Sequence, residues 1–91
     1  MNEYTTIYIP RNAIPILRRK SNEVLVTVSG EKRLVKYGEA AQFKIAGQAV
    51  AHIFMGRNVK QLREYVYPGR TYAVRFVEMV FSQVVVELVE I

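Results

Sequence analysis

The sequence predicts a small, mainly β domain that carries one main helix. Short runs rich in β-branched and aromatic residues recur along the chain, and glycine or proline turns separate them. Asn58 and Gln61 form a capping-box pattern before a segment whose apolar residues recur every three or four positions. A hydrophobic fraction of 51% over 91 residues suffices for one packed core. We therefore expect a single β-rich domain over residues 1–91, built as a small barrel or a sandwich.

The first half of the chain contains most of the predicted strands. Valine, isoleucine, threonine, tyrosine and phenylalanine favour extended backbone, and these residues dominate five short segments. Alternation of apolar and polar residues is typical of strands with one buried face. The five segments are 5–9, 23–29, 34–37, 42–45 and 49–55.

Two helices are predicted between these strands. A short helix at about 12–19 begins at Asn12, which is a good N-cap residue. The main helix at about 58–67 presents one apolar face, and Pro68 with Gly69 ends it.

The C-terminal segment 77–91 is strand-prone throughout. It is too long for one strand, so we predict a bend or a hairpin near Ser82-Gln83. Because the segment contains no lysine or arginine, it has the composition of an unprotected sheet edge. Pairing of this edge with a second copy would give a homodimer through residues 77–91.

Positive charge is concentrated in residues 1–75, where thirteen basic residues face five acidic ones, for a charge of +8. Residues 76–91 carry −3. Clustered positive charge attracts polyanions, and tyrosines among such clusters can stack on unpaired bases. The basic clusters are Arg18-Arg19-Lys20, Lys32-Arg33 with Lys36, and Arg57 with Lys60 and Arg63, and the accompanying tyrosines are Tyr37, Tyr65, Tyr67 and Tyr72.

Composition excludes most catalytic repertoires. One histidine, no cysteine and no aspartate cannot build a Ser-His-Asp triad or a Cys-His pair. A zinc site needs three or four ligands, and the five glycines form no phosphate loop, so we expect neither a metal nor a cofactor. His52 lies on an apolar strand, either as a structural histidine or as a reader of a base. Short apolar runs and the lack of a charged-then-apolar leader predict a cytoplasmic protein without membrane contact.

Three short motifs resemble the ASCH domains, which belong to the PUA-like superfamily of small β-barrels. Residues 16–21, ILRRKS, are similar to the family segment I-L-x-G-[KR]-K-T. Residues 36–39, KYGE, followed by QF at 42–43, are similar to its K-x-G-D turn, and residues 67–76 are similar to its Y-P-G-x-T turn and final strand. The resemblance covers about residues 6–77 and implies a PUA-like β-barrel that binds RNA or modified nucleobases. An OB-fold barrel is the structural alternative.

A small subset of the superfamily hydrolyses acetylated cytidine with a lysine in the basic turn. Lys20 occupies that position here, while Glu23 stands where the family has a threonine. If the protein is an enzyme, Lys20 and Glu23 are its chemical pair. A lysine reacts only when its pKa is lowered, and a nearby glutamate favours the charged ammonium instead. We therefore favour binding over hydrolysis.

The predicted binding site is a basic cleft beside the turn at residues 18–20, with RNA favoured over DNA. Cations would contact phosphates, polar side chains would hydrogen-bond a base edge, and the start of the main helix would flank the cleft. The residues expected there are Arg18, Arg19, Lys20 and Lys36 for phosphates, Ser21 and Glu23 for a base edge, and Arg57 and Asn58 beside the cleft.

Overall fold

The computed structural model describes residues 3–19 and 21–91 and arranges them in two four-stranded sheets. The first sheet has the order β4-β1-β7-β8 and the second has the order β3-β2-β5-β6. β1 and β7 are parallel, and the other neighbouring strands are antiparallel. The strands are β1 Tyr4–Ile9, β2 Glu23–Val28, β3 Glu31–Lys36, β4 Glu39–Lys44, β5 Ala49–Phe54, β6 Leu62–Val66, β7 Thr71–Val80 and β8 Gln83–Glu90.

The hydrophobic core lies between the two sheets. Strands such as β2 and β5 alternate buried and more exposed residues, so each contributes one face to the interior. Ile7 and Phe43 of the first sheet and Val26 and Ile53 of the second are essentially inaccessible to solvent. The structure thus confirms the mainly β class. The described strands form two open sheets and no closed barrel, whether of the PUA-like or the OB-fold type.

The predicted main helix at 58–67 is wrong, because β6 occupies residues 62–66 and pairs with β5. Leu62 and Val66 are both buried, and their spacing of four fits a helical face and a strand face equally well. Tyr65 and Val66 favour extended backbone, and pairing with β5 satisfies their backbone groups. The four-residue spacing of Leu62 and Val66 therefore does not distinguish a helix from a strand.

The predicted short helix at 12–19 is also wrong, since only the 3₁₀ helix Ile16–Arg18 forms there. Pro15 has φ −56° and ψ 136°, which is extended backbone. Proline also disfavours helical backbone at the residue before it, Ile14. The chain therefore cannot run as one helix from Asn12 through Pro15.

The predicted C-terminal hairpin is confirmed. β7 and β8 pair from Tyr72 opposite Glu90 to Val80 opposite Gln83, with Phe81 and Ser82 forming the turn. No helix within the described ranges has the length and apolar character needed to cross a membrane.

Candidate functional site

The outer face of the second sheet is the solvent-facing side of β3-β2-β5-β6. Its members alternate with buried residues such as Val24, Val26 and Ile53, so the pleat alone points their side chains away from the core. Cross-strand pairing places them in rows across the sheet. We call this surface the outer face, and it comprises Lys32, Leu34, Lys36, Glu23, Leu25, Thr27, Val50, His52, Phe54, Arg63 and Tyr65.

Apolar and aromatic side chains stand exposed on the outer face. Leu34 is 62% exposed, Tyr65 is 60% exposed and Phe54 is 37% exposed. Leu25 lies between Leu34 and Phe54 in the pairing register, while Tyr65 lies opposite Val50. A solvated face of an antiparallel sheet is ordinarily polar, so this one is unusually apolar.

The charged residues of the outer face are mostly cations. Lys32, Lys36 and Arg63 point outward, against the single acidic residue Glu23. Within the described parts of the chain, none of these three cations forms an ion pair. Their positive charge is therefore available to a bound anion.

His52 occupies the middle of the outer face, opposite Thr27 on one side and Arg63 on the other. Its Nε2 lies 2.8 Å from Oε1 of Gln61. Since a carbonyl oxygen only accepts, Nε2 is the donor in this contact, and Nδ1 lies on the other side of the ring. His52 is half-buried and has a polar partner, yet it still belongs to the solvent-facing side.

Half of the predicted site residues lie near one end of the second sheet. The start of β2, the end of β3 and the end of β5 coincide there, because Glu23 pairs with Lys36 and Leu25 pairs with Phe54. The Ser21 hydroxyl accepts a hydrogen bond of 3.2 Å from the Glu23 backbone N–H. The predicted residues near this end are Arg19, Ser21, Glu23 and Lys36, with Arg19 placed there by its contact with the Tyr37 ring.

One predicted residue, Asn58, stands apart from this cluster. The Asn58 carbonyl accepts a hydrogen bond of 2.7 Å from the Val84 backbone N–H, so Asn58 lies between the second sheet and β8. Lys20 lies outside the described residues, and the catalytic pair of Lys20 with Glu23 stays a prediction.

A separate groove of about 840 Å³ lies between residues 10–16 and residues 73–76 of β7. Its lining contains three arginines, Arg11, Arg19 and Arg75. Only Arg19 among them was expected in the site. Arg75 is ion-paired with Glu87, while Arg11 packs so closely on Gly38 that a Cβ added there would lie 2.9 Å from the Arg11 Nε.

Arg19 connects the groove to the end of the second sheet. Its guanidinium lies 4.1 Å from the centre of the Tyr37 ring, a cation–π contact. Burial raises the pKa of the Tyr37 hydroxyl above its usual value of 10.0, and the positive charge of Arg19 offsets part of that rise. The Arg19 Nε is buried and has no hydrogen-bond partner among the described residues.

Phe54 is an exposed aromatic residue that was not among the predicted site residues, whereas Lys36 and the basic turn were. The signal was present, because alternation over β5 buries Ala49, Ala51 and Ile53 and so turns Phe54 outward. Within the described ranges, no cluster of three or more histidine, aspartate or glutamate side chains could hold a metal ion.

Comparison with known proteins finds no family model, no curated protein and no solved structure that matches this chain. The ASCH resemblance therefore stays a prediction based on its short motifs. The functional proposal therefore depends on the arrangement of side chains on the outer face.

Proposed function

We propose that this protein binds single-stranded nucleic acid, RNA in preference to DNA, on the outer face of the second sheet. The observation that supports the proposal is the pairing of exposed rings, Phe54 and Tyr65, with outward cations that have no ion-pair partner in the described chain. Aromatic side chains on an open sheet stack unpaired bases, while cations neutralise the phosphates between them.

The two rings are spaced to serve one strand of nucleic acid. Tyr65 lies opposite Val50, which is four residues from Phe54 along β5. At about 3.4 Å per residue, the rings are about 14 Å apart along the sheet and take different bases. Stacking contributes about 1–3 kcal/mol per base and tolerates any sequence, because every base has a π-face.

The charged side chains then assign the backbone contacts. Arg63 lies opposite His52, between the rows of the two rings, and Lys36 lies at the Phe54 end. His52, between the two rings, offers its Nδ1 to a base. A protein partner is favoured less, because lysine is depleted at the centres of protein interfaces.

Fluorescence anisotropy with a labelled 12-nucleotide single-stranded RNA tests this function. We expect binding that weakens steeply between 50 and 200 mM salt, since each neutralised phosphate releases counterions. Phe54→Leu and Tyr65→Leu remove the rings but keep apolar bulk, and they are expected to weaken binding. Phe54→Tyr and Tyr65→Phe are the matched controls that keep a ring.

Lys44→Ala removes an exposed cation from the first sheet and is the control for overall charge. Equal losses in the leucine and ring-retaining variants, salt-insensitive binding, or no binding to any RNA or DNA oligonucleotide would contradict the proposal.

A further inference from the structure

The β7–β8 hairpin projects from the molecule as an arm. We define the arm as residues 77–83, which follow the bulge between Phe76 and Glu78. At about 3.4 Å per residue, β7 extends about 14 Å beyond residue 76. The molecule measures 41 Å along its longest axis and 22 and 21 Å along the others.

The arm carries exposed apolar side chains, whereas Val84, opposite Met79 on β8, is buried. Val77, Met79 and Val80 are all solvent-exposed, and Phe81 at the tip is 100% exposed. An isolated two-stranded hairpin is marginally stable, and its exposed apolar surface favours association. The arm contains no lysine or arginine, so a polyanion is not its natural partner.

The turn of the arm is poorly suited to its sequence. Phe81 has φ 49° and Ser82 has φ 70°, two successive left-handed residues as in a type I′ turn. Asparagine and glycine suit these positions, whereas a phenylalanine there costs folding free energy. Folding thus does not explain Phe81, and such local strain points to a function of the side chain.

The groove at the base of the arm complements it in charge and polarity. Arg11 and Arg19 line the groove and form no ion pair among the described residues, and the arm contributes the exposed carboxylate Glu78. Ile16 and Phe76 add exposed apolar surface to the lining. An apolar strand bearing one carboxylate matches an apolar groove bearing arginines.

We propose that two copies of the chain exchange arms, each arm lying in the groove of the other copy. The groove wall formed by residues 73–76 is also the base of the arm. If the two arms cross at a two-fold axis, the tip of each arm lies at the base of the other arm. The two tip-in-groove contacts are then equivalent and form together. Glu78 of one copy then faces Arg11 and Arg19 of the other.

Arm exchange differs from the pairing of free strand edges that the sequence predicted for residues 77–91. At the start of β8 that edge is already occupied, because the Val84 N–H donates to the Asn58 carbonyl and the Val84 carbonyl accepts from the Lys60 N–H at 2.9 Å. Arm exchange leaves the outer face of the second sheet free. Arm exchange goes beyond the proposed nucleic-acid function and does not depend on it.

Single cysteines test the exchange directly, because the natural chain contains none. One protein carries Ser82→Cys at the tip and a second carries Asn12→Cys in the groove. Mixed and oxidised, the two proteins are expected to form a disulfide-linked heterodimer. Lys32→Cys, on the outer face of the other sheet, is the matched control and is expected to cross-link to Ser82→Cys at a much lower yield.

Phe81→Asn separates association from folding. Asparagine tolerates the left-handed backbone of residue 81, so the variant is expected to raise the Tm by about 5 °C. About 1 kcal/mol of added stability raises the Tm of a domain of this size by that much. The substitution also removes both rings from the symmetric interface and is expected to weaken self-association, measured by analytical ultracentrifugation, by about 100-fold or more. Glu78→Arg alone is expected to weaken association, and Glu78→Arg combined with Arg19→Glu to restore it.

A strictly monomeric mass up to millimolar concentration would overturn the proposal, as would equal cross-linking to the Asn12→Cys and Lys32→Cys proteins. A monomer that co-sediments with anionic phospholipid vesicles through Phe81 would overturn it in favour of a lipid surface.

Discussion

The outer face of the second sheet and the β7–β8 arm both expose apolar side chains, yet their charges differ. On the outer face, Phe54 and Tyr65 stand among Lys32, Lys36 and Arg63. The arm has no cation and a single carboxylate. The charge around an apolar patch selects its partner, since cations attract phosphates while an apolar strand without them suits a protein groove.

The two surfaces are exposed for different structural reasons. The outer face is one side of an antiparallel sheet whose other side is the core, so strand alternation alone exposes it. The arm is exposed because β7 has ten residues whereas its neighbour β1 has six and ends earlier. Among the described strands, β7 and β8 pair only with each other beyond the end of β1, and an isolated bridge joins Val84 of β8 to Val59.

The largest expected effect of a single change belongs to the arm. Phe81→Ser removes about 2 kcal/mol of apolar burial at each of two equivalent contacts, so self-association should weaken by about 1,000-fold. Analytical ultracentrifugation measures the dimer, and anisotropy with a six-nucleotide RNA measures binding to one chain. RNA affinity should stay within twofold of wild type. A parallel loss of RNA affinity and self-association would mean that one surface serves both functions.

The next effect belongs to the outer face. Phe54→Leu and Tyr65→Leu together should weaken RNA binding by about 100-fold, because two stacking contacts of about 1–3 kcal/mol are lost. The dimer dissociation constant should not change. A double variant that binds RNA with wild-type affinity would show that the outer face is not the RNA-binding surface.

A smaller effect is expected from one phosphate contact. Arg63→Gln should lower RNA affinity by about three- to tenfold and reduce the slope of log K against log salt by about 0.7, the value for one phosphate of a single strand. Lys44→Gln, on the first sheet, should leave the slope unchanged. Equal slopes for wild type and Arg63→Gln would mean that Arg63 contacts no phosphate.

The smallest effect concerns Tyr37, where Arg19 connects the two regions. Burial raises the pKa of this hydroxyl in the folded protein above 10.0, so the unfolded chain loses its proton first as the pH rises. Stability from this group is complete below pH 10 and is lost as the pH climbs through the folded-state pKa. Tyr37→Phe keeps the ring under Arg19 and should flatten this alkaline loss in urea titrations, whereas an unchanged pH dependence would contradict the role of burial.

The sequence predicted β1, β2 and β5 closely, because β-branched alternation acts locally, but the predicted segments 34–37 and 42–45 cover only the later parts of β3 and β4. It failed at Leu62 and Val66, whose spacing fits two structures, and at Asn12, where the effect of Pro15 outweighed a good cap.

The candidate site was predictable only in part. The basic turn and Lys36 are adjacent because Glu23 pairs with Lys36, a long-range register that spacing alone does not reveal. The convergence of Arg11 and Arg75 on one groove depends on the parallel pairing of β1 with β7, which joins segments 65 residues apart.

The most direct test of the account is a ¹H–¹⁵N correlation spectrum of the protein titrated with a six-nucleotide single-stranded RNA. We expect the amide shifts to cluster at residues of the outer face around Phe54, His52 and Tyr65, with the arm signals at 79–82 unmoved. Shifts confined to the arm and its groove, or no shifts at all, would contradict the central claim that rings and cations on the second sheet form the nucleic-acid surface.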